Sequence, residues 1–422
     1  MEWKIPSADR QRLRELACVQ AEYAALPVMS ERKRLWYALN DGSRGARPLI
    51  VIENGSFDHD FLPAQLLRCE SDTARGIERQ LLRAIRNHEL IDDDKVVPDS
   101  FDVGWLVVID ELGVEVPRKT VADSRGVEVG YRCLHPIEDL KRDFELLRPA
   151  TCRVARELTL SLKEMLEELF DGNLQVRLHT GTFGGTTHTE RVIWLMGMEA
   201  FFLALHDSPD EVHALMGYLR DNALRVMRWA EREQLLRPNN GNQDSFGSSY
   251  NFTTRLPGPG YADGPAQLSD MWGFANSQET VGISPAMFRE FCFPYYRDVC
   301  EPMGLLYWGC CEPAHPFWED IRRLPHLKKV SISRWCDQRF MGEALRGTDV
   351  VFSRKPNPNL LGVHAELDEE AWAAHIRETL EATQGVRVEF IVRDVYTVHG
   401  NLQKPRRAVE IARTEIDRHA RV

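Results

Sequence analysis

The chain has 422 residues, of which 43% are hydrophobic and 28% are charged, a balance typical of a globular protein with a sizeable core. Its 64 acidic residues outnumber the 53 basic ones, and the net charge of −11 disfavours nucleic acid and anionic membrane surfaces as partners. The first residues are charged where a signal peptide needs an apolar stretch, and the 9 cysteines have no disulfide-framework spacing. We therefore expect a reduced, cytoplasmic protein.

Strand-like and helix-like segments alternate along the chain. The apolar strand candidates are residues 48–53, 105–110, 174–180, 304–310, 328–334, 349–353 and 387–394, with an eighth near 268–275. Helix-period segments lie at 75–91, 151–170, 189–205, 209–235, 285–302, 313–323, 367–384 and 405–419. This alternation predicts a parallel sheet, and eight strands predict a single (β/α)8 TIM barrel. An open doubly wound sheet is the alternative, although no glycine-rich phosphate loop opens any of these helices.

Two further features concern the organisation of the chain. Residues 1–45 are predicted to form an N-terminal helical extension, and residues 46–422 are predicted to form the barrel. The longest polar stretch, residues 237–264, is a long loop insertion in that barrel. Loops of this length are uncommon in a compact domain unless they are functional. This one is either a lid over the barrel mouth or an inert surface insertion.

Thiols end two predicted strands that follow one another in the chain. Cys310, Cys311 and Glu312 close one apolar run, and Cys336 ends the next. Because parallel strands place their carboxyl ends on one face, we expect these groups to line one cavity at the barrel mouth. Thiolates are soft metal ligands, and a carboxylate directly after two thiols predicts a polar site rather than core packing. Buried structural cysteine is the alternative for any single one of these thiols.

Other polar residues near predicted strand ends are candidates for substrate contacts. Arg177 and His179 lie two apart on one strand, so they share a face and can supply an anion contact and a proton. Arg354 and Lys355 follow another strand and are predicted to hold a substrate carboxylate. Asn54, in the acidic loop after the first strand, completes the predicted substrate contacts. The alternative in each case is a structural or solvated polar group.

Several segments together resemble the uroporphyrinogen decarboxylase superfamily, which includes corrinoid-dependent methyltransferases and cobalamin-independent methionine synthases. Residues 47–52 look like its first strand, and residues 208–213 (Ser-Pro-Asp-Glu-Val-His) look like its Pro-Glu-x-Val helix start. Residues 283–291, followed by Pro294 and Tyr295, look like its Ser-Pro-x-x-Phe-x-x-Phe…Pro-Tyr segment. The resemblance spans residues 45–415, and it implies the same barrel.

The sequence departs from this family at two places. True uroporphyrinogen decarboxylases have an Arg-Gln-Ala-Gly-Arg loop after the first strand, whereas this chain has acidic residues at 53–60. Decarboxylation of uroporphyrinogen is therefore not expected, because its carboxylates would meet like charge. The other departure is the loss of the histidine in the His-x-Cys motif of the methyltransferases. Trp308 or Gly309 stands in its place, while Cys310 or Cys311 keeps the cysteine.

The resemblance implies a zinc-dependent methyltransferase that moves a methyl group between a methylcorrinoid, or another donor, and a thiol or folate. The implied site has Cys310, Cys311, Glu312, Cys336 and His399 as metal ligands, with His179 and Asp394 as catalytic residues and Glu389 as a further candidate. The chain has no Asp-x-His-x-x-Gly motif, so a corrinoid would arrive on a partner protein. The alternatives are a decarboxylase or lyase acting on a small carboxylate, and a non-catalytic binding protein. The oligomeric state is open, with a homodimer among the options.

Overall fold

The computed structural model describes residues 3–43, 45–122, 128–181, 183, 185–243 and 248–420. The helices are α1 (Ser7–Ala24), α2 (Pro27–Asp41), α3 (Asp58–Phe61), α4 (Asp72–Arg86), α5 (Leu140–Asp143), α6 (Arg156–Phe170), α7 (His188–Met196), α8 (Met198–Asp207), α9 (Pro209–Arg232), α10 (Pro285–Phe291), α11 (Phe293–Cys300), α12 (Trp318–Ile321), α13 (Gln338–Leu345), α14 (Asn359–Gly362), α15 (Glu369–Ala382) and α16 (Gln403–His419). The strands are β1 (Leu49–Ile52), β2 (Ser100–Gly104), β3 (Val107–Asp110), β4 (Arg118–Ala122), β5 (Glu128–Cys133), β6 (Thr151–Val154), β7 (Gln175–His179), β8 (Gly185–Thr186), β9 (Trp272–Ala275), β10 (Leu305–Trp308), β11 (Leu327–Ile332), β12 (Val351–Arg354) and β13 (Val388–Val392). Over these residues, no helix combines the length and the apolar character needed to span a membrane.

The protein is an α/β protein built around a parallel sheet. Seven strands pair in the order β1-β13-β12-β11-β10-β9-β8, and every pairing in this sheet is parallel. A second, two-stranded parallel sheet joins β2 to β7. Two antiparallel pairs, β3 with β6 and β4 with β5, are additions to this arrangement. The prediction of a parallel sheet from βα alternation is therefore confirmed.

The predicted strand 105–110 is present as β3, but it does not belong to a parallel sheet. The parallel strand β2 precedes the predicted segment 105–110, and β3 within that segment pairs antiparallel with β6. Alternate residues of β3 are exposed, which is the pattern of a strand with one solvated face. In β2, the buried Phe101 and Val103 are separated by polar residues, so the strand does not read as a continuous apolar run.

Three predicted helices are interrupted in the structure. The predicted helix 189–205 is two helices, α7 and α8, with Gly197 between them at φ +84°. The predicted helix 285–302 breaks at Cys292, and Pro294 then opens α11. The predicted helix 151–170 begins as strand β6 and becomes helical at Arg156. Helical periodicity continued across the breaks at Gly197 and Cys292, because the helices on both sides of each bury residues in one common core.

The strands of the large sheet are buried on both faces. In β10, Leu306 and Trp308 pack into the cluster that includes residues of the surrounding helices. Tyr307 lies on the opposite face and packs with Phe274 and Cys310. Alternate residues of a strand point to opposite faces, so each strand contributes to two separate clusters. We call the face that carries Tyr307 the inner face of the sheet.

The inner face contains a buried ion pair. Lys329 of β11 and Glu389 of β13 are both fully buried, with Nζ 2.9 Å from Oε2. Ser249 also donates to Glu389 Oε2, at 2.8 Å, and Lys329 donates to the Tyr250 carbonyl at 3.1 Å. Burial lowers the pKa of Lys329, and the negative charge of Glu389 opposes this shift. Glu389 is therefore committed to an internal pair at the depth of the strands.

Side chains satisfy the backbone at the free edge of β1. The Ile50 amide donates to Asp94 Oδ2 and the Ile52 amide donates to Asp93 Oδ2, each at 2.7 Å. Lys95 donates from Nζ to the Ile52 carbonyl. These groups occupy the positions that a paired strand would otherwise fill, and they leave no exposed edge for misassembly. Asp94 is also anchored by Arg413, whose Nη2 lies 2.6 Å from Oδ1.

The described part of the long loop packs inward. Asn239 bonds both the amide and the carbonyl of Trp272 in β9, at 2.8 and 3.0 Å. The carbonyls of Tyr250 and Phe252 accept from Asn40 Nδ2, in α2, at 3.0 and 2.8 Å. These segments are therefore anchored to β9 and α2, and the choice between a lid and a surface insertion stays a prediction. Residues 244–247 of the predicted lid lie outside the described residues.

The N-terminal helices pack directly on the rest of the chain. Helix α1 contacts α4 and α6, and the fully buried Trp36 of α2 clusters with Leu49 and Val351 on the inner face. The indole of Trp36 donates to the Asp94 carbonyl at 2.8 Å. The predicted helical character of residues 1–45 agrees with α1 and α2. Their division from the barrel at residue 45 stays a prediction.

We expect the substitution Asp94→Ala to destabilise the protein by about 3–5 kcal/mol, as is typical when one partner of a buried ion pair is removed. It would leave the Ile50 amide and the Arg413 guanidinium without the carboxylate that pairs both. The measurement is the free energy of unfolding in urea. Asp417→Ala is the control, because Asp417 is half exposed and pairs only at the surface with Arg47. Its effect should stay below about 1 kcal/mol, and equal effects of the two substitutions would contradict the edge role of Asp94.

Candidate active site

Two thiols lie side by side after β10. Cys310 Sγ and Cys311 Sγ are 3.5 Å apart, and Cys311 is the more exposed of the two. The chain turns at Gly309, which has φ +90°, and a Cβ there would lie only 3.1 Å from Ser331 Cβ. This turn ends the alternation of the strand, so the two side chains meet instead of pointing to opposite faces. Ser331 donates to the Cys310 carbonyl at 2.6 Å and holds the turn.

Glu312 holds the turn from the other side. Its Oε2 accepts from the Cys310 amide and its Oε1 accepts from the Ser277 amide, both at 2.9 Å. The residue is 2% exposed, and burial raises the pKa of its carboxyl. Both carboxylate oxygens thus bind backbone amides at the ends of β9 and β10. Glu312 positions the thiols, a role that the metal-ligand prediction did not include.

Charged residues from β1 and β13 surround the thiol pair. Asp394 Oδ2 accepts from Cys311 Sγ at 3.5 Å. The Asp394 amide donates to Glu53 Oε2 at 3.4 Å, which connects the end of β13 to the end of β1. Arg393 lies between the two carboxylates, with its nitrogens 3.5 Å from Asp394 and 3.8 Å from Glu53. The ends of three strands therefore bring together two thiols, two carboxylates and one guanidinium.

Lys355, which follows β12, extends the inner face toward this site. Its Nζ donates to Tyr307 Oη at 2.7 Å and to Ser353 Oγ at 3.3 Å. The Tyr307 and Ser353 oxygens are themselves 3.0 Å apart. Burial, with the nearby positive charge of Arg393, lowers the pKa of Lys355 to about 7. Because Tyr307 also packs against Cys310, Lys355 belongs to the wall of the thiol site.

The two thiols have opposite acidities. The hydrogen bond from Cys311 lowers the pKa of Cys310 against the cost of burial, and the charges of Arg393 and Lys355 lower it further. The same hydrogen bond and burial raise the pKa of Cys311, with the negative charge of Asp394 adding to the effect. The first proton therefore leaves Cys310, and Cys311 stays protonated beside it. A thiolate is the nucleophilic and basic form of cysteine.

The other two predicted metal ligands lie apart from this pair. Cys336 is buried in the cluster between the sheet and the helices, and burial raises the pKa of its thiol to about 11. His399 is exposed, and its Nε2 contacts the Gly362 carbonyl at 3.1 Å. Within the described ranges, no group of three or more His, Cys, Asp or Glu residues could hold a metal ion. The predicted ligand set, as placed in the described residues, therefore does not fit zinc.

Asn54 and His179 lie on neighbouring cavities beside the site. Asn54 Oδ1 accepts a hydrogen bond from Arg83 Nη1 at 2.9 Å, and Asn54 Nδ2 donates to Asn87 Oδ1 at 2.8 Å. It lines a cavity of about 390 Å³ together with Glu53. His179 lines a second cavity, of about 510 Å³. The two cavities share Arg83 and Tyr250 in their walls, so a ligand that spans them would touch both predicted residues.

Arg177 and Arg354 line neither of these two cavities. Arg177 is half exposed and bonds Gln175 Oε1 at 2.6 Å. Arg354 is buried and donates to the Ser333 carbonyl at 2.8 Å, and burial lowers the pKa of its guanidinium to about 10. Two other arginines do reach the first cavity, Arg32 of α2 and Arg83 of α4. Arg83 also pairs with Asp58 at 2.8 Å. The loop after β1 is therefore less negative than its sequence indicates.

Sequence reasoning missed several residues of the site. Glu53 and Arg393 each directly follow an apolar strand, which is the same signal that selected Asp394. Tyr307 and Ser353 lie inside apolar strands, where the only available signal is their period-two position on the inner face. Their pairing becomes visible only when β10, β11 and β12 are placed next to each other.

Comparison with known proteins gives a likeness at the level of structure. No protein-family model matches the chain, and the comparison with curated proteins finds no match. Among solved structures, the chain is similar to a methyltransferase from Methanosarcina mazei, with a TM-score of 0.48 and 13% sequence identity. The likeness covers 92% of this chain and 98% of that one. This likeness is distant.

We expect Arg393→Gln to slow alkylation of Cys310 by iodoacetamide at neutral pH by about tenfold, which corresponds to a pKa rise of about one unit. The substitution removes a positive charge that favours the thiolate, so less thiolate is present at a given pH. The measurement is the alkylation rate against pH, followed by peptide mass spectrometry. Arg177→Gln is the control, since it neutralises a surface arginine away from the thiols. An unchanged midpoint in Arg393→Gln, with normal thermal unfolding, would show that Arg393 does not act on the thiol.

Proposed function

We propose that this protein is an enzyme that transfers a methyl group to an acceptor thiol, with Cys310 as the base that activates the acceptor. The observation that supports this most is the thiol pair, 3.5 Å apart at the carboxyl ends of parallel strands. Arg393 and Lys355 favour the thiolate of Cys310, and Asp394 Oδ2 lies 3.5 Å from Sγ of the protonated Cys311. The site thus combines a base, Cys310, with a cation, Arg393, that can face the thiolate of the acceptor.

The proposed chemistry needs one proton transfer and one substitution at carbon. Cys310 takes the proton of the acceptor thiol, whose ordinary pKa of about 8.5 is close enough for exchange at neutral pH. The acceptor thiolate, held by Arg393, then attacks the methyl carbon. The new C–S bond forms as the bond to the donor breaks, and the donor keeps the electron pair. Sulfur suits this step because the thiolate is the nucleophilic form of a thiol.

The methyl group is favoured by the resemblance of the chain to methyltransferases of the uroporphyrinogen decarboxylase superfamily. A methylcorrinoid delivered by a partner protein is the donor that we propose, and its cobalt would keep the electron pair. Asn54 and His179 are the proposed substrate contacts in the adjoining cavities, which together cross the ends of β1, β2 and β7. A decarboxylase or lyase acting on a small carboxylate is the alternative, with Arg83 rather than Arg177 or Arg354 at the two cavities.

We also propose that the two parallel sheets are parts of one (β/α)8 barrel. Eight strands are available for it, namely β1, β2, β7 and β9 to β13. The edge of β1 is bonded by Asp93 and Asp94, and the start of β9 is bonded by Asn239, as expected where side chains replace strand pairing. A crystal structure with β2 beside β1 would support this closure, whereas an open sheet with exposed edges would contradict it.

We expect Cys310→Ser to lower kcat/KM for methyl transfer by about 100-fold or more, the usual size of a lost general base. The assay supplies methylcobalamin and a small thiol, and the methyl thioether is measured by mass spectrometry. Cys336→Ser is the matched control, because its thiol lies in a separate buried cluster. We expect this variant to keep most of its activity.

Three results would contradict the proposal. The first is equal activity of Cys310→Ser and the wild type in correctly folded protein. The second is loss of activity in Cys336→Ser together with loss of bound zinc, which would restore the zinc-ligand hypothesis. The third is wild-type protein without methyl transfer from methylcobalamin, or from a methylated corrinoid protein, to any thiol tested. That outcome would favour the lyase or the non-catalytic binding protein.

A further inference from the structure

We infer that Cys310 and Cys311 form a reversible disulfide with each other when the protein meets a peroxide. The two sulfurs are neighbours in the chain and lie 3.5 Å apart. A disulfide bond is about 2.05 Å long, so the sulfurs need to approach by only about 1.5 Å. Cys311 is partly exposed, so a small oxidant can reach the pair from the mouth of the site.

The oxidation is balanced with hydrogen peroxide as the oxidant. The thiolate of the pair attacks one peroxide oxygen, an S–O bond forms, the O–O bond breaks, and hydroxide leaves to become water. The second sulfur then attacks the resulting sulfenic acid, the S–S bond forms, and the oxygen leaves as a second water. Two thiols lose two electrons and two protons, and one peroxide becomes two waters. A neighbouring thiol traps sulfenic acid before further oxidation when it lies as close as this pair.

The Cys310–Cys311 disulfide would be easy to reduce because the Cα atoms of adjacent residues are too close together for an unstrained disulfide. Neighbouring Cα atoms are about 3.8 Å apart across a trans peptide, whereas disulfides prefer about 4.4–6.8 Å. Strained disulfides have higher reduction potentials and are the labile ones. Formation of the disulfide between adjacent residues also disturbs the Cys310 amide, which donates to Glu312 at 2.9 Å. Oxidation is therefore expected to change the end of β10 reversibly.

The test treats the full-length protein with hydrogen peroxide and analyses the tryptic peptide spanning residues 298–322. In the wild type, we expect this peptide to lose the mass of two hydrogens, with fragmentation placing the link between Cys310 and Cys311. Dithiothreitol should restore the original mass. Cys310→Ser and Cys311→Ser should instead gain oxygen on the remaining cysteine. Cys18→Ser is the control, since it removes a partly exposed cysteine of α1 and should leave the link unchanged.

The inference is overturned if the wild-type peptide gains oxygen without losing hydrogen. It is also overturned if the lost hydrogens map to a link with Cys300, the third cysteine of this peptide. The readout is a mass, so it does not depend on methyl transfer. A correct link in an enzyme without methyltransferase activity would contradict the proposed function and support this inference. Where activity is present, we expect it to be lost with the link and regained with dithiothreitol.

Discussion

The buried pair of Lys329 and Glu389 is the constraint on which the rest of the inner face depends. An isolated charge inside a protein is very costly, so each of these groups requires the other and also the polar groups of Ser249. Lys329 belongs to β11 and Glu389 to β13, with β12 between them. A slip of one residue in β11 or β13 would turn Lys329 or Glu389 toward the helices. The pair therefore fixes β11 and β13 on either side of β12, which carries Ser353 and is followed by Lys355.

The same balance of charge continues at the carboxyl ends of the strands. Arg393 is largely buried, but the negative charges of Cys310, Glu53 and Asp394 overcome the effect of burial and raise its pKa. The guanidinium in turn favours the thiolate of Cys310. Lys355 has the opposite balance, because burial dominates and its pKa falls to about 7. One cation is therefore permanent near the thiols, while the other is exchangeable at neutral pH. Because of this difference, Arg393 is suited to hold an anion, and Lys355 is suited to adjust the basicity of that anion.

Predictions from the sequence succeeded where the signal was local. The apolar run ending at Cys310 marked β10 and placed its thiols at a strand end, and the run ending at Asp394 did the same for β13. The strand β2 was missed because Asp102 separates its two buried apolar residues, Phe101 and Val103. Glu312 shows a second limit of prediction from the sequence. A carboxylate after two thiols suggested a metal ligand, but its oxygens accept from the backbone amides of Cys310 and Ser277. Every residue except proline has a backbone amide, so residue types do not indicate which amides a carboxylate will bind.

The sequence by itself determined the α/β class, the parallel sheet and the presence of paired thiols at a strand end. These properties follow from alternating periodicity and from neighbouring residues, which any reader of the chain can see. Only the tertiary structure decided which distant groups meet those thiols. Glu53 and Asp394 are more than 300 positions apart and meet because β1 and β13 are neighbours in the sheet. The structure also places Cys336 and Cys310 in different clusters. The face of the sheet on which a strand-end residue lies depends on how the chain turns after the strand.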